Sequence, residues 1–340
     1  MRQRQTRMKK LKTMAARVLA TGASLILAGA LLTGCGATQE KTTVRIGGLK
    51  GPTTLGLLSL QEKTTNGEAK EAYEFSMMTA ADEILPLMIK GELDIALLPA
   101  NVASVLYNKT NGGISVIDIN TLGVLYMVSG DSSIDEITDL KDKTIYLTGK
   151  GTTPDYVLHY ILTENGFTES DYTLEYKSEA TEVAAVLAEN PDAIGLLPQP
   201  FVTAACAQNE SLQIVYDFNE EWNAVSEDGS SLVTGVTIVR REFMEEHKDA
   251  VLTFMREHKE SAEFANGNVD ETATAVVKYG ILEKEPIAKK ALPACNITYI
   301  DGEDMKQTLS GYLNVLYQMD PAAVGGNLPQ EDFYYTETGE

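Results

Sequence analysis

Two short runs in the chain combine lysine, glycine and hydroxyl side chains where a strand pattern gives way to a helix pattern. Lys50-Gly51-Pro52-Thr53-Thr54 is one, and Gly149-Lys150-Gly151-Thr152-Thr153-Pro154 is the other. A helix start exposes N–H groups with no helical acceptor, so it attracts anions and polar oxygens. Thr153 before Pro154 predicts an N-cap followed by a first-turn proline, and Thr53 or Thr54 can cap in the same way. Lys50 and Lys150 can add positive charge there, or simply remain solvated. Asn101 and Gln199 stand at two more predicted helix starts, each shortly after an apolar run that ends in proline. Tyr126 and the only tryptophan, Trp222, can offer flat faces to a ligand or fill a core or rim. Glu179 can accept a hydrogen bond from a ligand amine or favour the helix that follows it. Thr234, in the apolar segment 231–240, completes the candidate set. The chemistry on offer is non-covalent capture of a small polar molecule.

Motifs for covalent or cofactor chemistry fail on inspection. A phosphate-binding P-loop needs glycine where Thr144 stands and Ser or Thr where Gly151 stands. Pro154 occupies the place of the third glycine of a dinucleotide fingerprint. Neither Gly-x-Ser-x-Gly nor Ser-x-x-Lys occurs. His247 and His258 share a predicted helix but lie roughly 16 Å apart along it, too far to hold one metal ion. No cofactor, no metal and no catalytic constellation is expected.

The elements that must position these residues repeat. Strand-like and helix-like segments alternate from 43 to 240, an α/β pattern. Lys50-Gly51 and Lys150-Gly151 stand 100 residues apart, and Leu97-Leu98-Pro99 and Leu196-Leu197-Pro198 stand 99 apart. Two landmarks at nearly one offset predict two similar lobes, each with a small sheet. If the lobes face each other, the helix starts near Thr53, Asn101, Thr153 and Pro200 converge on one cleft beyond the strand ends. Segments 122–129, 212–218 and 231–240 are expected to carry the chain across and back. After Arg241 the pattern is helical, with helices expected over 242–265, 270–282 and 304–317. The expected division is lobe 1 over 43–128 and 236–335, and lobe 2 over 129–235.

Charge divides the chain at its start. Residues 1–34 carry seven basic side chains and no acid, around an apolar run at 18–32. Basic, then apolar, then small is the order of a signal peptide, and the apolar run is short for a permanent span. The closing Leu32-Thr33-Gly34-Cys35 resembles the bacterial lipoprotein cleavage box. That resemblance implies diacylglycerol on the Cys35 thiol, with 35–42 as a flexible tether. Beyond residue 34 the chain holds 21 basic against 49 acidic residues, a net charge of −28 that disfavours nucleic acid as a partner. Three cysteines exclude a disulfide scaffold. Cys206 and Cys295 read as buried free thiols, although export would permit them to pair.

The ordered series of segments resembles the solute-binding lipoproteins of bacterial ABC importers, in the branch that includes nitrate, sulfonate, taurine and thiamine-pyrimidine-precursor binders. GGLKGPTTLGLL at 47–58, KGELDIALLPANVASVLYNK at 90–109 and DLKDKTIYLTGKGTTPDYVL at 139–158 carry it. SEATEVAAVL at 178–187, LLPQPFVTA at 196–204 and LVTGVTIVRREF at 232–243 complete it. The resemblance implies a type 2 periplasmic-binding fold: two α/β lobes, two crossing strands and a ligand between them. It also implies a monomer outside the cytoplasmic membrane that delivers its ligand to a permease served by a separate ATPase. A sulfonate- or nitrate-like anion and a pyrimidine are both open as ligands, since no arginine maps onto the anion-binding role. The alternatives are an enzyme on the same fold, acting on a pyrimidine or futalosine-type substrate, and a ligand-sensing surface lipoprotein. The cysteine-rich motif of the pyrimidine-synthase relatives is absent, which speaks against the enzyme.

Overall fold

The computed structural model describes residues 41–226 and 230–337; the predicted leader and Cys35 lie outside the described residues. Eleven strands form two sheets among these residues. They are β1 (Thr43–Leu49), β2 (Ala72–Met78), β3 (Ile95–Pro99), β4 (Ile114–Leu122), β5 (Leu125–Ser129) and β6 (Thr144–Thr148). They continue with β7 (Thr173–Lys177), β8 (Ile194–Pro198), β9 (Gln213–Asp217), β10 (Val233–Arg240) and β11 (Ile297–Ile300). The first sheet runs β11-β4-β10-β3-β1-β2 and the second runs β7-β6-β8-β5-β9.

The repeat read from the sequence is a repeat of topology. In the first sheet β1 pairs in parallel with β2 and β3, and in the second β6 pairs in parallel with β7 and β8; an antiparallel strand, β10 or β5, lies beside β3 or β8. Even the register recurs: Ile46 faces Ile95, and 99 residues later Ile145 faces Ile194. The core segments of β3 and β8 are buried on both faces, as strands covered by helices on either side must be. The structure is a mixed α/β fold of two lobes, each a sheet flanked by helices.

The crossings fall a few residues from their expected places. β5 pairs only with β8 and β9, so it belongs to the second sheet, and the outward crossing is at 123–124 rather than after 128. β10 pairs along its length with β3 and β4, so the return is complete by Val233 rather than 236. The reason is that these apolar strands are central in their sheets, where hydrogen-bond partners on both sides decide membership. Gly123 permits the outward turn, because a Cβ there would lie 1.7 Å from the Asn219 side chain.

Helices after β10 largely follow the expected pattern. The stretch expected as one helix over 242–265 is broken at His247, giving Arg241–Glu246 and Lys248–Gly267. Val269–Lys278 and Gly302–Met319 follow, with Glu285–Ala291 between them. Cys206 and Cys295 are free thiols. Cys295 is fully buried, donating to the carbonyl of Ala291.

Candidate functional site

The turn after β6 meets the helix start after β3 and strand β10, and β10 in turn lies against the turn after β1, at the seam between the lobes. On the lobe 1 side, β1 runs into a 3-10 turn, Pro52–Leu57, with Pro52 at its start. Thr54 Oγ1 donates to the Leu49 carbonyl at 2.6 Å and ties the turn to its strand. Thr53 is buried, yet its Oγ1 has no hydrogen-bond partner. Gly51 is buried too, and a Cβ built on it would meet nothing within 4 Å. Its backbone is extended, so the seam holds open space at Gly51 rather than a turn that demands glycine.

Asn101 lies in the first turn of the helix Ala100–Lys109 and is fully buried. Its Nδ2 donates to the carbonyls of Gly151 in lobe 2 and Ala323 in lobe 1, each at 3.2 Å. Its Oδ1 accepts nothing. Thr234, on the returning strand, is buried with an unpartnered Oγ1. Beside it, a Cβ on Gly235 would lie 2.5 Å from both Asn120 Oδ1 and Thr53 Cγ2, so the seam wall closes only around a glycine. Asn120 is held by a chain of hydrogen bonds into the lobe: Thr121 donates to it, it donates to Thr237, and Thr237 donates to Asp118. Asp118 lies 3.2 Å from Nδ1 of buried His258.

On the lobe 2 side the expected cap is shifted by one residue. The helix is Thr153–Glu164, its N-cap is Thr152, and Pro154 follows Thr153 in the first turn. The Thr152 hydroxyl donates back to the Gly149 carbonyl at 2.6 Å instead of accepting from the helix. Gly149 and Gly151 both have φ near +70°, the left-handed region that favours glycine. Thr153 Oγ1 is buried and reaches across the seam to the Thr234 carbonyl at 3.4 Å.

Asp155 takes the place of the anion that this helix start was expected to attract. Its carboxylate accepts from Gly151 N at 2.7 Å and from Tyr176 Oη at 2.6 Å, and His159 Nδ1 lies 3.1 Å away. Burial pushes Asp155 up, but the hydrogen bonds from His159, Tyr176 and Gly151 outweigh it and hold it below the usual carboxylate range. His159 is raised in turn, chiefly by its hydrogen bond to Asp155. The positive end of the helix is thus met from inside the protein.

The remaining candidates divide. Lys50 and Lys150 are exposed at the loop tips, and Lys150 Nζ lies 5.2 Å from the centroid of the Tyr176 ring. Gln199 is buried, but its Oε1 accepts from the backbone and hydroxyl of Thr203, serving its own helix. Glu179 is exposed at the N-cap of Ala180–Glu189 and accepts from Thr181, which fits the helix-start alternative. Tyr126 packs in a hydrophobic cluster with its phenol pushed up to about 12, mainly by burial. Trp222 takes the core alternative. It is fully buried between Tyr160 and Tyr312, with Nε1 donating to the Ser230 carbonyl, so no face is left for a ligand.

Sequence reasoning missed Asp155, His159, Tyr176, Asn120, Gly235 and Tyr312. An acid one residue after the first-turn proline was the available signal for Asp155. Asn120 and Gly235 come from β4 and β10, which flank the crossings, and only pairing places them at the seam. Among the described residues, no cluster of His, Cys, Asp and Glu is arranged to hold a metal ion. No described helix is long and apolar enough to cross a membrane.

The fold recurs in solved structures. An ABC transporter from Parabacteroides distasonis is 26% identical, with a TM-score of 0.72, covering 87% of this chain and 99% of that one. The periplasmic aliphatic sulphonate binding protein SsuA from Escherichia coli is 15% identical, with a TM-score of 0.66, over 87% of this chain and 92% of its own. The periplasmic nitrate-binding protein NrtA from Synechocystis PCC 6803 is 11% identical, with a TM-score of 0.63, over 83% and 82%. No curated protein matches the sequence. The sequence profile described as Menaquinone biosynthesis matches residues 82–322, well over half of the 340 residues and spanning parts of both lobes. On that match, the chain belongs to the menaquinone biosynthesis family.

Proposed function

We propose that this chain is the solute-binding component of an ABC importer, and that it encloses a small polar molecule between its lobes. The observation that carries the reading is the seam itself. Thr53, Asn101 and Thr234, on the elements that meet there, each keep a buried oxygen without a partner, and a Cβ on buried Gly51 would meet nothing within 4 Å. An unpaired buried polar atom costs about 1–3 kcal/mol, so a ligand that supplies partners to three at one seam would gain from each of them. The likeness to an ABC transporter structure at 26% identity supports the same reading. Ligand would favour the closed arrangement by binding it more tightly than the open one. The two lobes, 43–123 with 233–337 and 124–226, are its moving parts. The leader and Cys35 would hold the protein outside the cytoplasmic membrane, next to a permease and its ATPase. Two acyl chains are enough for stable anchoring where one is marginal.

Gly51→Leu tests the reading, because the side chain fills the open space without backbone strain. The expected outcome is a melting temperature within a few degrees of wild type and loss of solute binding by calorimetry. Undiminished binding would remove the seam from the function.

The family match favours a second reading, an enzyme of menaquinone biosynthesis on the same fold. Asp155 and His159 are the acid–base pair such an enzyme would have near the seam. Turnover by purified protein without membrane partners, abolished in His159→Gln, would favour it over import.

A further inference from the structure

The seam has unpaired oxygens but no buried positive charge. Of the described arginines, Arg45 and Arg240 bind Asp94, at the end of β1 and β3 opposite the seam. Arg241 binds Asp332, and Arg256 lines a groove with Lys259 and Tyr299. Lys50 and Lys150 stay exposed at the rim. Just before the helix start of lobe 2, the Gly151 N–H is already taken by the Asp155 carboxylate. An anion placed there would compete with the Asp155 carboxylate for the Gly151 N–H and lie close to its charge, which His159 partners at 3.1 Å.

One of the unpaired atoms states the opposite need. Asn101 Oδ1 can only accept, since both hydrogen bonds recorded for its Nδ2 go to backbone carbonyls. Thr53 and Thr234 hydroxyls can each donate or accept. Resting on the binding reading above, we propose that the enclosed part of the ligand is uncharged and carries N–H or O–H donors. At least one donor serves Asn101 Oδ1. Amides, aminated heterocycles and polyols fit this chemistry; a sulfonate, nitrate or carboxylate group does not.

The test is calorimetric titration of the full-length chain with cytosine, uridine, nicotinamide and inositol as neutral probes, and with methanesulfonate and nitrate as anionic probes. Thr53→Val and Thr234→Val are titrated in parallel, and all three proteins are melted without ligand. The expected result is saturable binding of a neutral probe, no binding of either anion, and an affinity lowered about tenfold in each variant. The ligand-free variants should melt at or above the wild-type temperature, because each loses an unpaired buried hydroxyl. That readout separates lost recognition from lost folding. Binding of methanesulfonate or nitrate, unaffected by either substitution, overturns the proposal and leaves the binding reading standing. Neutral binding that neither substitution weakens also overturns it. Absence of binding across both sets overturns the proposal together with the reading beneath it.

Discussion

Asp155 and His159 make stability depend on pH in two directions. Asp155 is held below its ordinary range, so its contribution is present above about pH 4 and is lost as pH falls through its lowered pKa. His159 is raised, so its contribution is complete below about pH 6.5 and is lost as pH rises through its folded value. The melting temperature should therefore be highest between those limits and decline on the alkaline side. In His159→Gln the alkaline decline should flatten, and the acid one should shrink to what the Tyr176 and Gly151 hydrogen bonds sustain. Thermal melts from pH 2 to pH 9 check this; an unchanged alkaline limb would show that His159 is not the titrating group. The same residues mark what a sequence conceals. Thr53, Asn101, Thr153 and Thr234 could be picked out from helix-start and strand logic. The hydrogen bond from Gly151 to Asp155 could not, because it depends on how a four-residue loop folds back on its helix.

Elements were more legible than their edges. The two β-α halves showed themselves through paired landmarks, because each lobe turns from a parallel strand straight into a helical segment and later needs an apolar strand buried on both faces. Crossing points were misplaced because β5 and β10 look like any buried strand until their neighbours are known. The break at His247 was likewise invisible, since the apolar periodicity runs on through Phe243, Ala250 and Val251. Within β10, Gly235 has the most consequence. Gly235→Ala forces a methyl group against Asn120 and Thr53, and overpacking of this kind costs about 1–3 kcal/mol. Chemical denaturation should show that loss. Gly51→Ala, with space around it, should stay within about 0.5 kcal/mol of wild type.

At the scale of the molecule, the lobes are joined by few polar contacts across the seam. Asn101 to Gly151 and Thr153 to Thr234 are two of them. Asn101→Ala should loosen the closed arrangement, seen by small-angle scattering as a larger radius of gyration without ligand. An identical scattering curve would mean that apolar packing alone holds the lobes together. The proposed anchor is tested separately: Cys35→Ala should move the protein from the membrane fraction to the soluble fraction of the producing cell.

Trp222 sits on a lobe 2 helix, its ring 5.4 Å from that of Tyr312 on the lobe 1 helix Gly302–Met319. It is also the only tryptophan in the chain. The protein thus carries its own optical reporter. Parting the halves would bring water to the indole and shift its emission to the red, so domain motion can be followed in a cuvette without a label.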